Sequence, residues 1–477
     1  MKKILSIIIS LLLVVLALAS CADGMHESTT TADLLGPGSC ILYPPTTSPI
    51  KTLDDGTVIH SHYENVNFGG RTFTFESEFY DGDWQIYEVC GVDETKQDTL
   101  SRAIQIRNET IEGLYNCKIE HVKKTNRELT DHFMIYPDIC VFSYNAYSKG
   151  NGDFYNINDL VNLSNPWWDE SYVSEMIVDG YLYSVAGAAS LSAYDATRVL
   201  YFNKDILLGT PSLASTDLYS LVENNEWTMD KFTEILRNVP IGEANGFCGS
   251  EDALRSLYFG AGGNYLFKYD DAAGNTTFKH AFTDTSANAF NSVRAIFAAD
   301  SAVIDENVSA FEEFKSGNTL FASGTLGDME HISGVNFGVL PYPAYSKEQI
   351  SRVGYRSIVD GGFYYYCIPK TINYDLSLIC QFMELYAFHS YYISFAEYLN
   401  MHKYLFIDNE NDRNMMDVIL QSRTYDLAYY HGFADVDEYV TDALIGATDV
   451  TLSWVQDKGT ALENAANAYN DYLNKNT

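Results

Sequence analysis

The order strand, helix, strand, strand at the start of the folded region constrains this chain more than any other feature. "RTFTFES", from Arg71, alternates apolar and polar residues with the period of a half-buried strand. "DTLSRAIQIRNETIEGLYN" then sets Ala103, Ile106, Ile111 and Leu114 on or near one helical face. "CKIEHVKK" returns to strand, and "DICVFSY" is short and apolar, as a buried strand is. Strands joined through a helix pair in parallel, because the crossover carries the chain back to the edge where it began. The order therefore predicts an α/β fold, a parallel sheet with helices on its faces.

Further strand signals follow at "YLYSVAG", "ATRVLYFN", "VNFGVLPY" and "GFYYYCIP". Helical patterns lie between them in "STDLYSLVENN", "TMDKFTEILRN", "SANAFNSVRAIFAAD" and "SAFEEFKSG". Beyond Tyr374 the pattern is helical, closing on an amphipathic helix with Leu462, Ala465, Ala466, Tyr469, Tyr472 and Leu473 at three- and four-residue steps. The 477 residues suffice for two or three domains, and no internal repeat divides them.

The first residues read as a targeting segment. Lys2 and Lys3 precede an apolar run over 4–17, too short to span a bilayer comfortably, and Leu18-Ala19-Ser20-Cys21 follows. Small residues ending in Cys, in place of an A-x-A cleavage site, are the signature of a bacterial lipoprotein. On that reading 1–20 is a signal peptide and Cys21 carries a diacylglyceryl (palmitate-type) lipid. The other reading of the same residues is an ordinary signal peptide followed by a chance Cys. Residues 21–63, rich in Ser, Thr, Pro and Gly without a period, read as a flexible tether. The body is then expected on the extracellular face of the cell membrane, held by lipid, since no second apolar run approaches spanning length.

Composition excludes more than it selects. A formal net charge of −34 repels nucleic acid and other polyanions, and otherwise makes a soluble surface. The 36 Tyr residues combine a flat apolar face with a polar tip, which suits wet pockets and stacking on sugar rings as well as ordinary cores. Apart from Cys21 the cysteines form no CxxC and are too sparse for a disulfide scaffold, so they read as small buried hydrophobes. Cys117 with Cys140 is the pair that could close. There is no G-x-S-x-G elbow, no HExxH and no phosphate-binding G-x-x-x-x-G-K-[ST] loop. His60-Ser61-His62 lacks a third ligand nearby, and no metal site or cofactor is expected. "DNENDRNMMD" lacks the mid-loop Gly and terminal Glu of a calcium loop and reads as a capped helix start.

"FEEFKSGNTLFASG" followed by "VNFGVLPYPAY" resembles the extracellular solute-binding proteins of ABC importers, in the sugar-binding family. Phe314, Gly317, Gly324, Phe337, Gly338, Pro341 and Pro343 occupy the family's pattern positions. "NPWWDESYV", "ATRVLYFNKDI", "LYSLVENNEWTMDKFTEI" and "SRTYDLAYYHGF" look like a clostridial-type branch of the same family, and the resemblance runs from Asn67 to the C-terminus. "NVPIGEANGFCGSED" departs from the Asp/Asn/Gly-rich loop that such proteins often carry there, so calcium is not carried over. The resemblance implies a two-lobed, periplasmic-binding-protein-like (type II) fold with a hinge and an interlobe cleft. Lobe one is placed at 64–195 plus 340–372, and lobe two at 196–339 plus 373–477. Hinge passages fall near 195–201, 338–342 and 369–374. It further implies a monomeric, non-enzymatic receptor that closes on a small neutral solute, a mono- or oligosaccharide, and delivers it to permease subunits. A peptide or polyamine binder, a surface glycan-degrading lipoprotein and a binder without a transporter are the other readings.

A sugar site needs apolar ring faces and planar polar groups. Trp167 and Trp168, after Asn165-Pro166, offer a stacking surface or else a packing anchor under a loop. Asp195 enters a hinge strand and is either a cleft residue or a turn residue paired with Arg198. Tyr144 and Asn145 follow the strand "DICVFS", and Trp84 follows the first strand; the carboxyl ends of parallel strands are where α/β clefts bind ligands. Asp328 follows a strand of the other lobe, and Arg356 and Tyr364 belong to the late lobe-one insertion. Each of these has a solvated loop or a core contact as its alternative. Trp227, at a helix start, reads as a hydrophobic staple.

Overall fold

The computed structural model describes residues 50–79, 88–91, 99–125, 137–143, 153–240, 242, 244–271, 274–304, 310–372 and 375–475, all in the unit spanning 40–477. The leader with Cys21, the tether up to residue 49, Trp84, Tyr144 and Asn145 lie outside the described residues.

The initial order folds as its pattern dictates. Arg71–Phe79 pairs in parallel with Cys117–Thr125 on one side and with Ile139–Ser143 on the other, and the helix Thr99–Tyr115 precedes the second strand. Tyr364–Cys367 adds antiparallel to Ile139–Ser143, with Tyr364 opposite Ser143 and Cys367 opposite Cys140, completing a first sheet of four strands. A second sheet has five strands in the order Ala302–Ile304, Asn245–Gly249, Thr319–Thr325, Arg198–Asn203, Phe337–Leu340. Arg198–Asn203 is antiparallel to both its neighbours, and the other four strands all run in one direction.

Three expectations are corrected. The stretch "NVPIGEANGFCGSED", read as a degraded loop, contains the buried strand Asn245–Gly249 and the start of the helix Glu251–Gly260. Residues 50–63 are folded and not tether: Ile50–Thr52 and Val58–His60 form a hairpin, and His60 is fully buried against the rings of Trp167 and Phe388. Burial of an imidazole disfavours its charge, and the His60 pKa falls to about 3. The helix Leu376–His389, assigned to the second lobe by position in the chain, packs on the first sheet. Phe382 stacks on Phe73 with ring centroids 3.7 Å apart, and Tyr386 meets Phe75 at 4.8 Å. An apolar face goes to whichever surface it fits, whatever its place in the sequence.

Elsewhere local chemistry sets the elements. Trp227 precedes the N-cap Thr228 of the helix Met229–Arg237 and meets Phe232 edge-on at 5.8 Å, a hydrophobic staple. Asn409 caps Glu410–Gln421 through the N–H of Asp412, as the "DNENDRNMMD" reading requires. The closing helix Leu452–Lys475 buries Leu462, Ala466 and Leu473 and lies along the hairpin Leu266–Asp270/Thr276–His280, where Glu463 accepts from the His280 N–H. Cys117 and Cys140 are separate buried thiols, and burial pushes the Cys117 thiol up to about 12. No helix among the described residues is long and apolar enough to cross a membrane.

Candidate functional site

The carboxyl ends of Asn245–Gly249 and Thr319–Thr325 and the start of Arg198–Asn203 share one edge of the second sheet, since Arg198 lies opposite Thr325. Such an edge is where open α/β sheets bind ligands, because loops and helix starts converge there without a strand to fill the space. Arg198, the first residue of its strand, donates to Asp252 Oδ2 at 3.1 Å and to Asp360 Oδ2 at 2.6 Å. Arg255, one helical turn after Asp252, donates to Asp252 Oδ1 at 2.7 Å and grips both oxygens of Asp437 at 2.5 and 2.6 Å. The Tyr265 hydroxyl adds a third donor to Asp437 at 2.7 Å, and the Arg255 guanidinium sits 5.2 Å from the Tyr429 ring centre.

Asp252, Arg255, Asp360 and Asp437 line a cavity of about 340 Å3, with Gly361, Tyr429 and Tyr430 completing its wall. Its three carboxylates outnumber the two guanidinium groups that engage them, Arg198 and Arg255, so its charge is negative on balance. Burial opposes the charge on Arg198, yet Asp360 and Asp252 more than offset it and hold the guanidinium above its ordinary range. Burial likewise opposes ionisation of Asp252, and Arg198 and Arg255 hold its carboxyl below the usual range. The Asp360 N–H donates to Ala196 O at 2.8 Å, and Thr197 bridges Val359. The cavity therefore abuts the passage by which the chain enters the second sheet, immediately after Asp195.

Asp195 ends the short helix Leu191–Asp195 and is buried. Its Oδ1 is 3.9 Å from His402 Nε2, and Gly327 lies against its side chain. Burial, with Glu330, Glu88 and Asp328 nearby, raises the Asp195 carboxyl well above its ordinary range, while Tyr398 works the other way. Arg198 is not its partner, as the sequence reading had allowed; the guanidinium is taken by Asp252 and Asp360. Asp328 does face the same region, but its Oδ2 accepts from Thr325 N–H and Oγ1 and so closes a capping box. The Tyr364 N–H donates to Ser192 Oγ at 2.9 Å, three residues before Asp195, and its ring is buried. Asp195, Asp328 and Tyr364 are thus brought to one neighbourhood.

The other described candidates fall elsewhere. Trp167 is fully buried and donates from Nε1 to Glu384 Oε1 at 2.9 Å, beside Asn165 at 2.7 Å, which makes it a packing anchor. Trp168 is buried as well, its backbone bridged to Gly187, and its Nε1 meets no acceptor among the described residues. Arg356 donates to Gly263 O and Asn264 Oδ1 at 2.8 and 2.7 Å, close to the buried carboxyls of Asp426 and Glu175. Burial raises Glu175 to about 7, and Asp426 adds to the rise. Arg356 braces the loop before the Leu266 strand and stands apart from the Asp195 neighbourhood.

Sequence reasoning missed Asp252, Arg255, Asp360 and Asp437, four charged residues in a strongly charged chain. Tyr429 and Tyr430 lay inside "SRTYDLAYYHGF", a string that carried the resemblance but no assigned role. The usable signal was the start of a helix straight after an apolar strand, "GFCGSEDALR", which places Asp252 at a strand's carboxyl end.

No protein-family model matches the chain, and no curated protein matches it. Solved structures do. The galacto-N-biose/lacto-N-biose I-binding protein of an ABC transporter from Bifidobacterium longum, in complex with lacto-N-biose, aligns with a TM-score of 0.54 at 11% identity, over 84% of this chain and 98% of that one. A family 1 extracellular solute-binding protein from Bifidobacterium longum subsp. infantis aligns at 0.52 and 17%, over 84% and 100%. A cyclo/maltodextrin-binding protein complexed with maltotetraose aligns at 0.51 and 12%, over 84% and 97%. The chain has the two-lobed, periplasmic-binding-protein-like α/β fold of these proteins.

Proposed function

We propose that this protein is the extracellular solute-binding receptor of an ABC importer and captures a mono- or oligosaccharide by hinge closure, without making or breaking a bond. The observation that supports it most is the cavity at the strand-end edge of the second sheet, set in a fold whose solved examples include binders of lacto-N-biose and maltotetraose. Carboxylates engaged by Arg198 and Arg255 are strong acceptors for sugar hydroxyls, and Tyr429 and Tyr430 supply ring faces beside them. Asp195 sits at the passage between sheets, where a ligand touching both sides would favour the closed form by its differential affinity.

On this reading each sheet centres one lobe, with the helix Leu376–His389 on the first. Trp84, Tyr144 and Asn145 follow strands of the first sheet and would face the ligand from across the cleft. Cys21 carries the lipid, the leader is removed, and the body works as a monomer at the outer face of the membrane, docking on permease subunits.

The test is a thermal-shift screen against monosaccharides, oligosaccharides, peptides and polyamines. A ligand at a hundredfold excess over its dissociation constant stabilises the folded state by about 2.7 kcal/mol. A shift with one saccharide class and no turnover of that sugar supports the receptor. A shift with peptides or amines alone discards the sugar, and consumption of the ligand discards a non-enzymatic role.

A further inference from the structure

At the far end of the Glu251–Gly260 helix, roughly 15 Å from its start at 1.5 Å rise per residue, lies a second and larger space. It is an open groove of about 890 Å3 between the loop at Gly262, the hairpin strand Leu266–Asp270 and the helix Lys347–Val353. We propose that this groove is a second carbohydrate-binding surface, distinct from the polar cavity, that takes a neutral oligosaccharide or polysaccharide chain.

Exposed aromatic rings carry the argument. Phe267 and Tyr345 border the groove at 42% and 38% exposure, while Tyr258, Phe259, Tyr265 and Phe290 around them are buried. Phe267 is out because Leu266 takes the inward position of an alternating strand, so Tyr269, two residues on, shares its face at 45% exposure. Side chains two residues apart on a strand stand about 7 Å apart, so the two rings stand in a row on one face, and Phe267 is the one that lines the groove. An extended patch of rings on a surface is a contact site more often than an accident of packing.

The polar lining fits the same ligand. The Asn288 amide and the Arg352 guanidinium are exposed and engage no hydrogen bond or ion pair within the described residues. The exposed charges of the lining, Arg352 and Glu348, are of opposite sign on one helix, Glu348 accepting from the Ser346 hydroxyl, so the groove selects neither a polyanion nor a polycation. Rings with amides and hydroxyls suit a neutral chain rich in hydroxyl groups. The wall is also fixed. Gln349 accepts from the Tyr345 N–H at 2.8 Å and donates to Gly260 O at 2.8 Å, and Arg356 holds Asn264. That gives Arg356 a role in the molecule that its sequence position did not reveal.

The test is native electrophoresis of the full chain in detergent, through gels containing soluble α-glucan, β-glucan, xylan, mannan or galactan. At least one polysaccharide is expected to retard the protein. Phe267→Ala with Tyr345→Ala should weaken that retardation tenfold or more at an unchanged melting temperature, and Asn288→Ala with Arg352→Ala should weaken it should the ring variant fold poorly. Asp252→Asn in the polar cavity should leave retardation intact, and the sugar-induced thermal shift at that cavity should survive the ring substitutions. The proposal falls if no polysaccharide retards the protein, if retardation survives both groove variants, or if it is lost with Asp252→Asn alone. It also falls if the ring variant changes sedimentation rather than retardation, because the rings would then serve a protein contact.

Discussion

Glu88 shows how much a single buried group can do in this protein. Its carboxyl accepts from the Ser192 N–H and the Tyr366 hydroxyl, each at 3.1 Å, and burial raises its pKa to about 7. Between the ordinary carboxyl value near 4.5 and 7 the folded state keeps a proton that the unfolded chain has released. Its contribution to stability is therefore full below 4.5 and falls as pH rises to 7, by about 3 kcal/mol. Glu88→Gln removes that slope, so the stability of the variant relative to the parent should increase from pH 4.5 to 7.5, read from denaturant midpoints. A constant difference across that range would show that Glu88 is ionised in the fold. Trp167 gives a second test at this scale. Trp167→Phe takes one donor from the buried Glu384 carboxylate and should cost about 2 kcal/mol while leaving ligand affinity unchanged. A platform for the ligand would show the reverse, lost affinity in a protein of normal stability.

At the scale of elements, the glycines that carried the family resemblance turn out to have separate physical reasons. Gly317 follows the helix Ala310–Lys315 with φ +81°, a left-handed turn that a side chain resists. Gly338 is different: a Cβ there would sit 2.2 Å from the Phe202 ring on the neighbouring strand. Gly338→Ala should therefore cost about 1–3 kcal/mol through overpacking of the second sheet, measured by thermal unfolding. Gly317→Ala should cost about 1 kcal/mol through backbone strain alone. The family strings were legible because such local demands fall on single positions. Helix starts were legible for the same reason when a capping residue stood next to its element, as Thr228 and Asn409 do. The strand Asn245–Gly249 was not, because five residues, four of them buried and two of them glycine, carry no alternation to read.

For the whole molecule, Arg198 is the tie between parts. It stands where the chain enters the second sheet, and it joins Asp252 of a second-sheet helix to Asp360 in the passage leading back to the first. Its side chain is mostly buried but Asp252 is not, so Arg198→Gln should cost about 1–3 kcal/mol, between the values of exposed and buried pairs. Adding Asp360→Asn should recover part of that loss by removing the carboxylate left unpaired, and a double-mutant cycle measures the recovery. Simple additivity of the two substitutions would show that the pair is not coupled.

The sequence by itself determined the elements that depend on near neighbours: the parallel order of the first strands, the capped helices, the closing amphipathic helix and the family pattern around Gly317 and Gly338. Those follow from periodicity and turn chemistry, which act over a few residues. Only the tertiary structure decided which charges meet, and here the partners are far apart in the chain, Arg198 with Asp360 and Arg255 with Asp437. It also decided that His60 belongs to the core and that Leu376–His389 covers the first sheet. A charged or apolar residue carries no mark of its distant partner, since electrostatic and packing energies depend on separation in space and not on separation along the chain.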